Sequence, residues 1–285
     1  LIEKLIMTDV EEILVIDDLS TGKSDNLSKF NNSNKIKFIN KKVEDIENLG
    51  KTFEGYDFCY HLAAGVGVQY IMENLNHYFE TNRKTWNQKV KAHVKGDLYK
   101  LEEFKKGVSS LMPYETKALG NVDGKSLLHL QCHFGQDTLS WSRLGAQCVG
   151  VDISDEGIKL AKKLNKELEL HAGFICCNVL ETSKHLEDTF DIVFTSYGVI
   201  GWLPDLKPWG KMIAERLKKG GVFYMVEFHP LVWMFDYLSG KPILKYGYMQ
   251  DEVIYEEYEG TYANQDAKMT SKEYGWNHGL SEVIN

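Results

Sequence analysis

Residues 124–154 constrain the fold more than any other stretch. They read Gly-Lys-Ser-Leu-Leu-His-Leu-Gln-Cys-His-Phe-Gly-Gln-Asp-Thr-Leu-Ser-Trp-Ser-Arg-Leu-Gly-Ala-Gln-Cys-Val-Gly-Val-Asp-Ile-Ser. A short apolar run, Leu127 to Leu130, leads into a turn that holds Gly135. A helical stretch from Asp137 to Leu144 stops at Gly145. A second apolar run, Cys148 to Val151, ends in Asp152. Strand, glycine-containing turn, helix and a strand closed by an acid form half of a doubly wound sheet. In such a unit the glycine admits a close backbone approach to a ligand at the helix N-terminus. The acid accepts hydrogen bonds from a ribose diol.

The same pattern continues downstream. Ser154 is a helix N-cap, and Ile158, Ala161, Leu164 and Leu168 form one helical stripe. Gly173 to Cys177 is a third strand, followed by Asn178. Phe190 to Phe194 is a fourth, followed by Thr195-Ser196-Tyr197-Gly198. A helix over about 207–217 closes on Lys218-Lys219-Gly220-Gly221, a glycine stop. Val222 to Val226 is the fifth strand, with Glu227-Phe228-His229-Pro230 after it. Five apolar strands alternating with helices imply a parallel sheet covered on both faces.

Upstream, residues 1–10 are patterned as a helix and Glu12 to Ile16 as a strand ending in Asp17. Ile36 to Ile39 and Tyr56 to Leu62 are two further strands. Residues 83–120 are mostly helical, with Trp86, Val90, Val94, Leu98, Leu101 and Phe104 as the apolar stripe. Arg83, Lys84, Lys89, Lys91 and Lys95 are then a solvated face, balanced by Asp97, Glu102 and Glu103, rather than a nucleic-acid patch.

Two resemblances follow from these motifs. Val149-Gly150-Val151-Asp152-Ile153-Ser154, Phe190-Asp191-Ile192-Val193 and Leu217-Lys218-Lys219-Gly220-Gly221 resemble the class I S-adenosylmethionine-dependent methyltransferases, over about residues 82–285. The resemblance implies a Rossmann-like, doubly wound, mostly parallel α/β fold. It implies S-adenosylmethionine as cofactor, bound by Leu130, Gln131, Gly135, Asp152, Ile153, Asn178, Val179, Thr195 and Ser196. Asp152 would take the ribose, Asn178 the adenine amino group, and Thr195 and Ser196 the methionine part. The family's acidic-x-Gly-x-Gly-x-Gly turn is reduced here to Gln131-Cys132-His133-Phe134-Gly135-Gln136-Asp137. Asn178 stands for the more usual Asp, and its amide oxygen accepts the same hydrogen bond.

The second resemblance covers about residues 1–74. Val15-Ile16-Asp17-Asp18-Leu19-Ser20-Thr21-Gly22, Val43-Glu44-Asp45-Ile46 and His61-Leu62-Ala63-Ala64 resemble the extended short-chain dehydrogenases, the NAD-dependent nucleotide-sugar epimerases and dehydratases. It implies vestigial NAD contacts at Asp17, Asp45, Ile46, Ala63 and Ala64. The family's first strand and its G-x-x-G-x-x-G turn are missing, so no amides remain for a pyrophosphate, and NAD is not the expected cofactor. The family's Tyr-x-x-x-Lys pair is absent at its place. Tyr237 and Lys241 have that spacing, with Gly240 between them arguing against a helix. This region is read as a truncated second Rossmann-type fragment. Residues 75–120 are a junction with the N-terminal helices of the transferase, and 121–285 its cofactor-binding domain, short of its last strands. The fifth strand then offers an exposed edge through which a homodimer would form.

Catalytic candidates are His229, Tyr197 and Glu227, near the carboxyl edge of the sheet. His229 is either a general base or structural, Gln131 either a cofactor contact or a turn residue, and Asp152 either a ribose ligand or a helix cap. Cys132, His133, Cys176 and Cys177 lack a second pair at metal spacing and read as packing, so no metal is expected. Trp202, Trp233, Phe235, Tyr246, Tyr248, Tyr255, Tyr258 and Tyr262 are core, interface or lid. His278 is structural.

A net charge of −8 argues against bulk binding of nucleic acid, and no Asn-Pro-Pro-Tyr signature follows the fourth strand. No apolar run reaches membrane length. The charged residues among the first fourteen do not suit a signal peptide, and five Cys without C-x-x-C spacing suit a reducing, cytoplasmic compartment. The expected activity is methyl transfer to a small-molecule acceptor. The competing readings are a non-catalytic or defective adenosine-binding fusion and, last, an NAD-dependent epimerase.

Overall fold

The computed structural model describes residues 2–19, 28, 30, 33–60, 68–236 and 241–284. The chain forms two compact units, Leu1–His77 and Tyr78–Asn285.

In the first unit, α1 (Ile2–Ile6) precedes β1 (Ile13–Ile16), which pairs in parallel with β2 (Ile36–Ile39) from Ile13↔Ile36 to Ile16↔Ile39. A 3-10 turn over Val43–Asp45 and the short helix α2 (Leu49–Thr52) follow. The β1 tip holds Asp17, whose Oδ1 accepts the Leu19 N–H at 2.7 Å. The helix expected over residues 1–10 is confined to its first turn and a half. The strand expected over Tyr56 to Leu62 does not form across 56–60, where Phe58 and Tyr60 are exposed. Asp45 ends the 3-10 turn and Ile46 caps it. Ala63, Ala64 and Tyr237 lie outside the described residues.

The second unit is built on a five-stranded, all-parallel sheet, ordered β5-β4-β3-β6-β7. The strands are β3 (Ser126–Leu130), β4 (Gln147–Asp152), β5 (Gly173–Cys176), β6 (Phe190–Ser196) and β7 (Leu217–Val226). The order reverses beside β3, so the carboxyl ends of β3, β4 and β6 open onto a crevice. Alternation along each strand splits the core in two. Leu127, Ile192 and Phe194 face one side, with Leu139 and Trp141 of α6 (Gln136–Arg143) and Ile158, Ala161 and Leu164 of α7 (Asp155–Glu167). Leu128, Leu130 and Val193 face the other, against Trp209, Met212 and Ile213 of α9 (Leu206–Arg216), which follows the short α8 (Thr182–His185). Ser154 caps α7 as its sequence suggests, its Oγ accepting the Gly157 N–H at 3.0 Å.

One helix-end expectation is corrected. The α9 helix does not stop on a glycine. Its C-cap, Leu217, is already extended and pairs with Phe190, and the register then jumps to Ile192↔Val222. Lys218 to Gly221 therefore bulge out of β7, with Gly220 at φ +82° inside the bulge and Lys218 Nζ 2.9 Å from Asp191 Oδ2. Gly135 is needed for packing. It caps α6 at φ +79°, and a Cβ there would lie 2.7 Å from the Phe174 ring and 3.0 Å from the Ala161 methyl. Gly135→Ala should lower stability by about 2 kcal/mol or more through strain and overpacking. A thermal melt shows this, and a change below about 0.5 kcal/mol would mean that the turn relaxes freely.

Helix α3 (Val68–Lys95), with α4 (Leu101–Lys105) and α5 (Pro113–Leu119), precedes the sheet. The small antiparallel pair β8 (Phe235–Asp236) and β9 (Ile243–Leu244) and the hairpin β10 (Gln250–Glu259) and β11 (Thr270–Asn277) follow it, before α10 (Leu280–Ile284). From Asn82 onward α3 is locked to β11. The Asn82 amide exchanges two 2.8 Å hydrogen bonds with the Tyr274 backbone, like a strand neighbour, and Thr85 Oγ1 donates to the Lys272 carbonyl at 2.7 Å. The hairpin does not extend the main sheet, so among the described residues β7 is an edge strand paired with β6. No helix among the described residues is long and apolar enough to cross a membrane.

Candidate functional site

A cavity of about 910 Å³ opens at the carboxyl ends of β3, β4 and β6. Asp152, at the tip of β4, is 8% exposed and lines it. Its Oδ2 accepts the His133 N–H and its Oδ1 the Ser154 N–H, each at 2.8 Å. Burial raises its pKa to about 6, against the pull of those amides in the other direction. Gln131, at φ +55°, donates from Nε2 to the Val199 carbonyl at 2.9 Å, and its buried Oε1 has no hydrogen-bond partner among the described residues.

The cavity wall brings together Gln131, Gly135, Asp152, Ile153, Asn178, Val179, Ser196 and Tyr197. Asn178 Oδ1 accepts the Leu180 N–H at 3.0 Å, capping a 3-10 turn, and retains a lone pair. Ser196 Oγ donates at 3.1 Å to Asp137 Oδ2, whose other oxygen takes the Ser110 hydroxyl at 2.6 Å. Burial pushes the Asp137 carboxyl up despite both bonds. The Tyr197 hydroxyl pairs with that of Tyr114, and burial raises its pKa first, that pairing second.

Four candidates lie elsewhere. Leu130 and Thr195 are fully buried in the sheet, the threonine hydroxyl bonded to the Leu130 carbonyl at 3.2 Å. The Glu227 carboxylate is a backbone clamp. It accepts the N–H groups of Gly198 and Phe228 on one oxygen at 2.6 and 2.7 Å, and Val199 and Ile200 on the other at 2.7 and 3.3 Å. Its oxygens are thus engaged with the backbone. His229 is exposed, outside the wall, and caps the 3-10 turn Pro230–Met234, its Nδ1 accepting the Leu231 N–H at 3.2 Å. His278 is buried between the Leu203 carbonyl and Glu282, at 2.7 and 2.9 Å.

The remaining wall comes from α3, the segment after it and the hairpin. Lys89 is 1% exposed and forms an ion pair with Glu273, so it leaves the solvated face on which its sequence neighbours place it. Its ammonium lies 4.8 Å from the Trp86 ring centre, 5.3 Å from Tyr262 and 5.4 Å from Trp202. Burial lowers the Lys89 pKa, with Glu273 opposing. Beside it, His93 Nδ1 lies 2.9 Å from His133 Nε2. The only sequence signal for this group is the spacing Asn82, Thr85, Lys89, His93, a polar stripe on one helical face. Among the described residues no three His, Cys, Asp or Glu side chains converge as for a metal.

Residues 128–225, from β3 to β7, match the family model described as a methyltransferase domain. An Alkalilimnicola ehrlichii ubiquinone biosynthesis O-methyltransferase is 25% identical over 136 residues, covering 47% of this chain and 55% of that protein. The mitochondrial Homo sapiens protein of the same name is 30% identical over 105 residues, covering 36% and 28%. The chain thus spans about half the length, or less, of these curated relatives. A solved S-adenosylmethionine-dependent methyltransferase from Clostridium acetobutylicum superposes with a TM-score of 0.45 at 15% identity, over 75% of this chain and 84% of that one.

Proposed function

We propose that the methyltransferase domain carries a methyl group from S-adenosylmethionine to a small-molecule acceptor. The observation that carries this reading is the buried Asp152 carboxylate at the tip of β4, opening onto a cavity of about 910 Å³ at the sheet's switch point. The residues present suit this donor. Asp152 would accept the ribose hydroxyls. Asn178, Ile153 and Val179 would border the adenine, and Ser196 and Gln131, with its unpartnered Oε1, the amino-acid end. The donor supplies a methyl carbon made electrophilic by its sulfonium.

The chain's own work is positioning and exclusion of water. Phe79 and Trp86 of α3 and Tyr258 of β10 line the cavity with aromatic rings, a low-dielectric surrounding that favours loss of the sulfonium charge. Holding the acceptor in line with the methyl carbon supplies most of the acceleration. The relatives named as O-methyltransferases support an oxygen acceptor. For residues 1–74, the parallel β1–β2 pair with Asp17 at its tip supports the reading as a Rossmann-type remnant, with no cofactor chemistry assigned to it. The edge position of β7 supports a homodimer contact.

Isothermal titration of the full chain with S-adenosylmethionine tests the proposal, with micromolar binding expected. No binding would overturn it, and binding without turnover across a metabolite panel would favour the inert adenosine-binding reading.

A further inference from the structure

We propose that Asp137 anchors the ammonium group at the amino-acid end of the methyl donor. This inference rests on the transferase reading of the same cavity.

Asp137 stands in the first turn of α6, partly exposed, and lines the cavity. Its oxygens accept two hydroxyl hydrogens, from Ser110 at 2.6 Å and from Ser196 at 3.1 Å. No backbone N–H bonds to it, and no Lys, Arg or His among the described residues pairs with it. Other acids of the same wall are held differently. Asp152 has the N–H groups of His133 and Ser154, Glu273 has the Lys89 ammonium, and Glu256 has Lys245. His129, on β3 in that wall, is kept neutral by burial, its pKa lowered to about 3, and adds no positive charge.

Asp137 is thus a poorly solvated carboxylate with neutral donors only, and burial raises its pKa. Stranding such a group without a cation is costly. An ionised carboxylate offers about four lone-pair positions, and the two serines occupy one on each oxygen. The free positions and the missing positive charge are left for a ligand to fill.

The turn between β3 and α6 indicates which cation fits. It has a carboxylate towards each end. Asp152 is bonded to the turn at His133, and Asp137 follows where the turn enters α6. Burial raises the thiol pKa of Cys132, which lies in this turn, and the charges of Asp152 and then Asp137 add to it, so both carboxylates act on one short segment. The donor has a matching order of groups. A ribose diol comes first, then the sulfonium, then a short chain that ends in an ammonium and a carboxylate. With the diol on Asp152, the chain runs along the turn towards Ser196 and Asp137. An ammonium there gains charge-assisted hydrogen bonds, whereas the donor's own carboxylate would be repelled.

Ser110 separates this role from that of a loop tie. Its N–H donates to Ser140 Oγ at 3.1 Å and its hydroxyl lies 3.0 Å from the same oxygen, so the segment before α5 is tied to α6 at a second point besides Asp137.

Calorimetric affinities test the assignment. The full chain, Asp137→Asn and Ser110→Ala are titrated with S-adenosylmethionine, with S-adenosylhomocysteine, which lacks the sulfonium charge, and with 5′-methylthioadenosine, which lacks the amino-acid end. Asp137→Asn should bind the first two about tenfold to a hundredfold more weakly and the third within about threefold of the parent. Ser110→Ala should stay within about threefold for all of them. A loss with S-adenosylmethionine alone would put the carboxylate beside the sulfonium. A loss with all of them would mean a disrupted site, and a Ser110→Ala loss as large as that of Asp137→Asn would mean a loop tie. Any of these, or no loss at all, overturns the inference while leaving the transferase reading intact. The unsubstituted protein gives a second measurement, which holds even where Asp137→Asn does not fold. S-adenosylhomocysteine with hydrogen in place of its amino group should bind about tenfold or more weakly than S-adenosylhomocysteine itself, and equal affinity overturns the inference. Failure of the unsubstituted protein to bind S-adenosylmethionine overturns the transferase reading, and this inference with it.

Discussion

Asp152→Ala should weaken S-adenosylmethionine binding by about a hundredfold or more. Two hydrogen bonds from ribose hydroxyls to an ionised acceptor contribute about 1.5–3 kcal/mol each, and 1.4 kcal/mol is a factor of ten. The same carboxylate gives the effect a pH signature. Its folded pKa of about 6 sits above the ordinary aspartate value of about 3.9. Donor binding uses the ionised form, so affinity should fall about tenfold per unit as pH drops below 6, and level off above it. Stability runs the other way. Between the two values the folded state holds the proton more tightly than the unfolded chain, so stability falls as pH rises from about 4 to about 6. Titration calorimetry and urea melts over pH 4–8 read both trends. A donor affinity flat from pH 5 to 8, or unchanged in the alanine variant, would remove Asp152 from the donor site.

Breaking the Lys89–Glu273 pair should be the most destabilising change on the α3–β11 seam. The lysine is 1% and the glutamate 9% exposed, so either single replacement strands a buried charge at a cost of about 3–5 kcal/mol. Lys89→Met with Glu273→Gln removes both charges and should recover most of that loss. A double-mutant cycle from urea denaturation isolates the coupling. Single variants within about 1 kcal/mol of the parent would show a pair as weak as an exposed one, and a seam held by Asn82 and Thr85 instead.

The contrast between these two sites shows where local reading succeeds. Asp152 is legible from sequence because its place depends on neighbours in the chain: an apolar run before it, Ser154 two residues on, and the α7 stripe of Ile158, Ala161 and Leu164 beyond. Lys89 reads as solvent-facing because a basic run carries no mark of which member is buried. That is decided by β11, whose Glu273 lies far along the sequence. His93 is silent for the same reason, its partner being the turn after β3.

Position beside the sheet edge also proved insufficient. His229 and Glu227 follow β7 where ligands gather in such folds, yet one caps a turn and the other clamps four amides. Unpaired N–H groups in their vicinity made both into backbone acceptors. The glycine stop after α9 failed likewise, because strand pairing of Leu217 with Phe190 outcompeted a left-handed cap. In the first unit, Tyr56 to Tyr60 had strand composition but pair with no strand among the described residues.

Sequence by itself determined the parallel sheet, the acid at its switch point and the two-sided core, because period-two and period-3.6 patterns record burial along the chain. Tertiary structure alone decided which polar side chains lost their water. Lys89, His93 and His133 became an aromatic-walled cluster only when α3, the β3 turn and the hairpin closed on one another, a desolvation that no local pattern encodes.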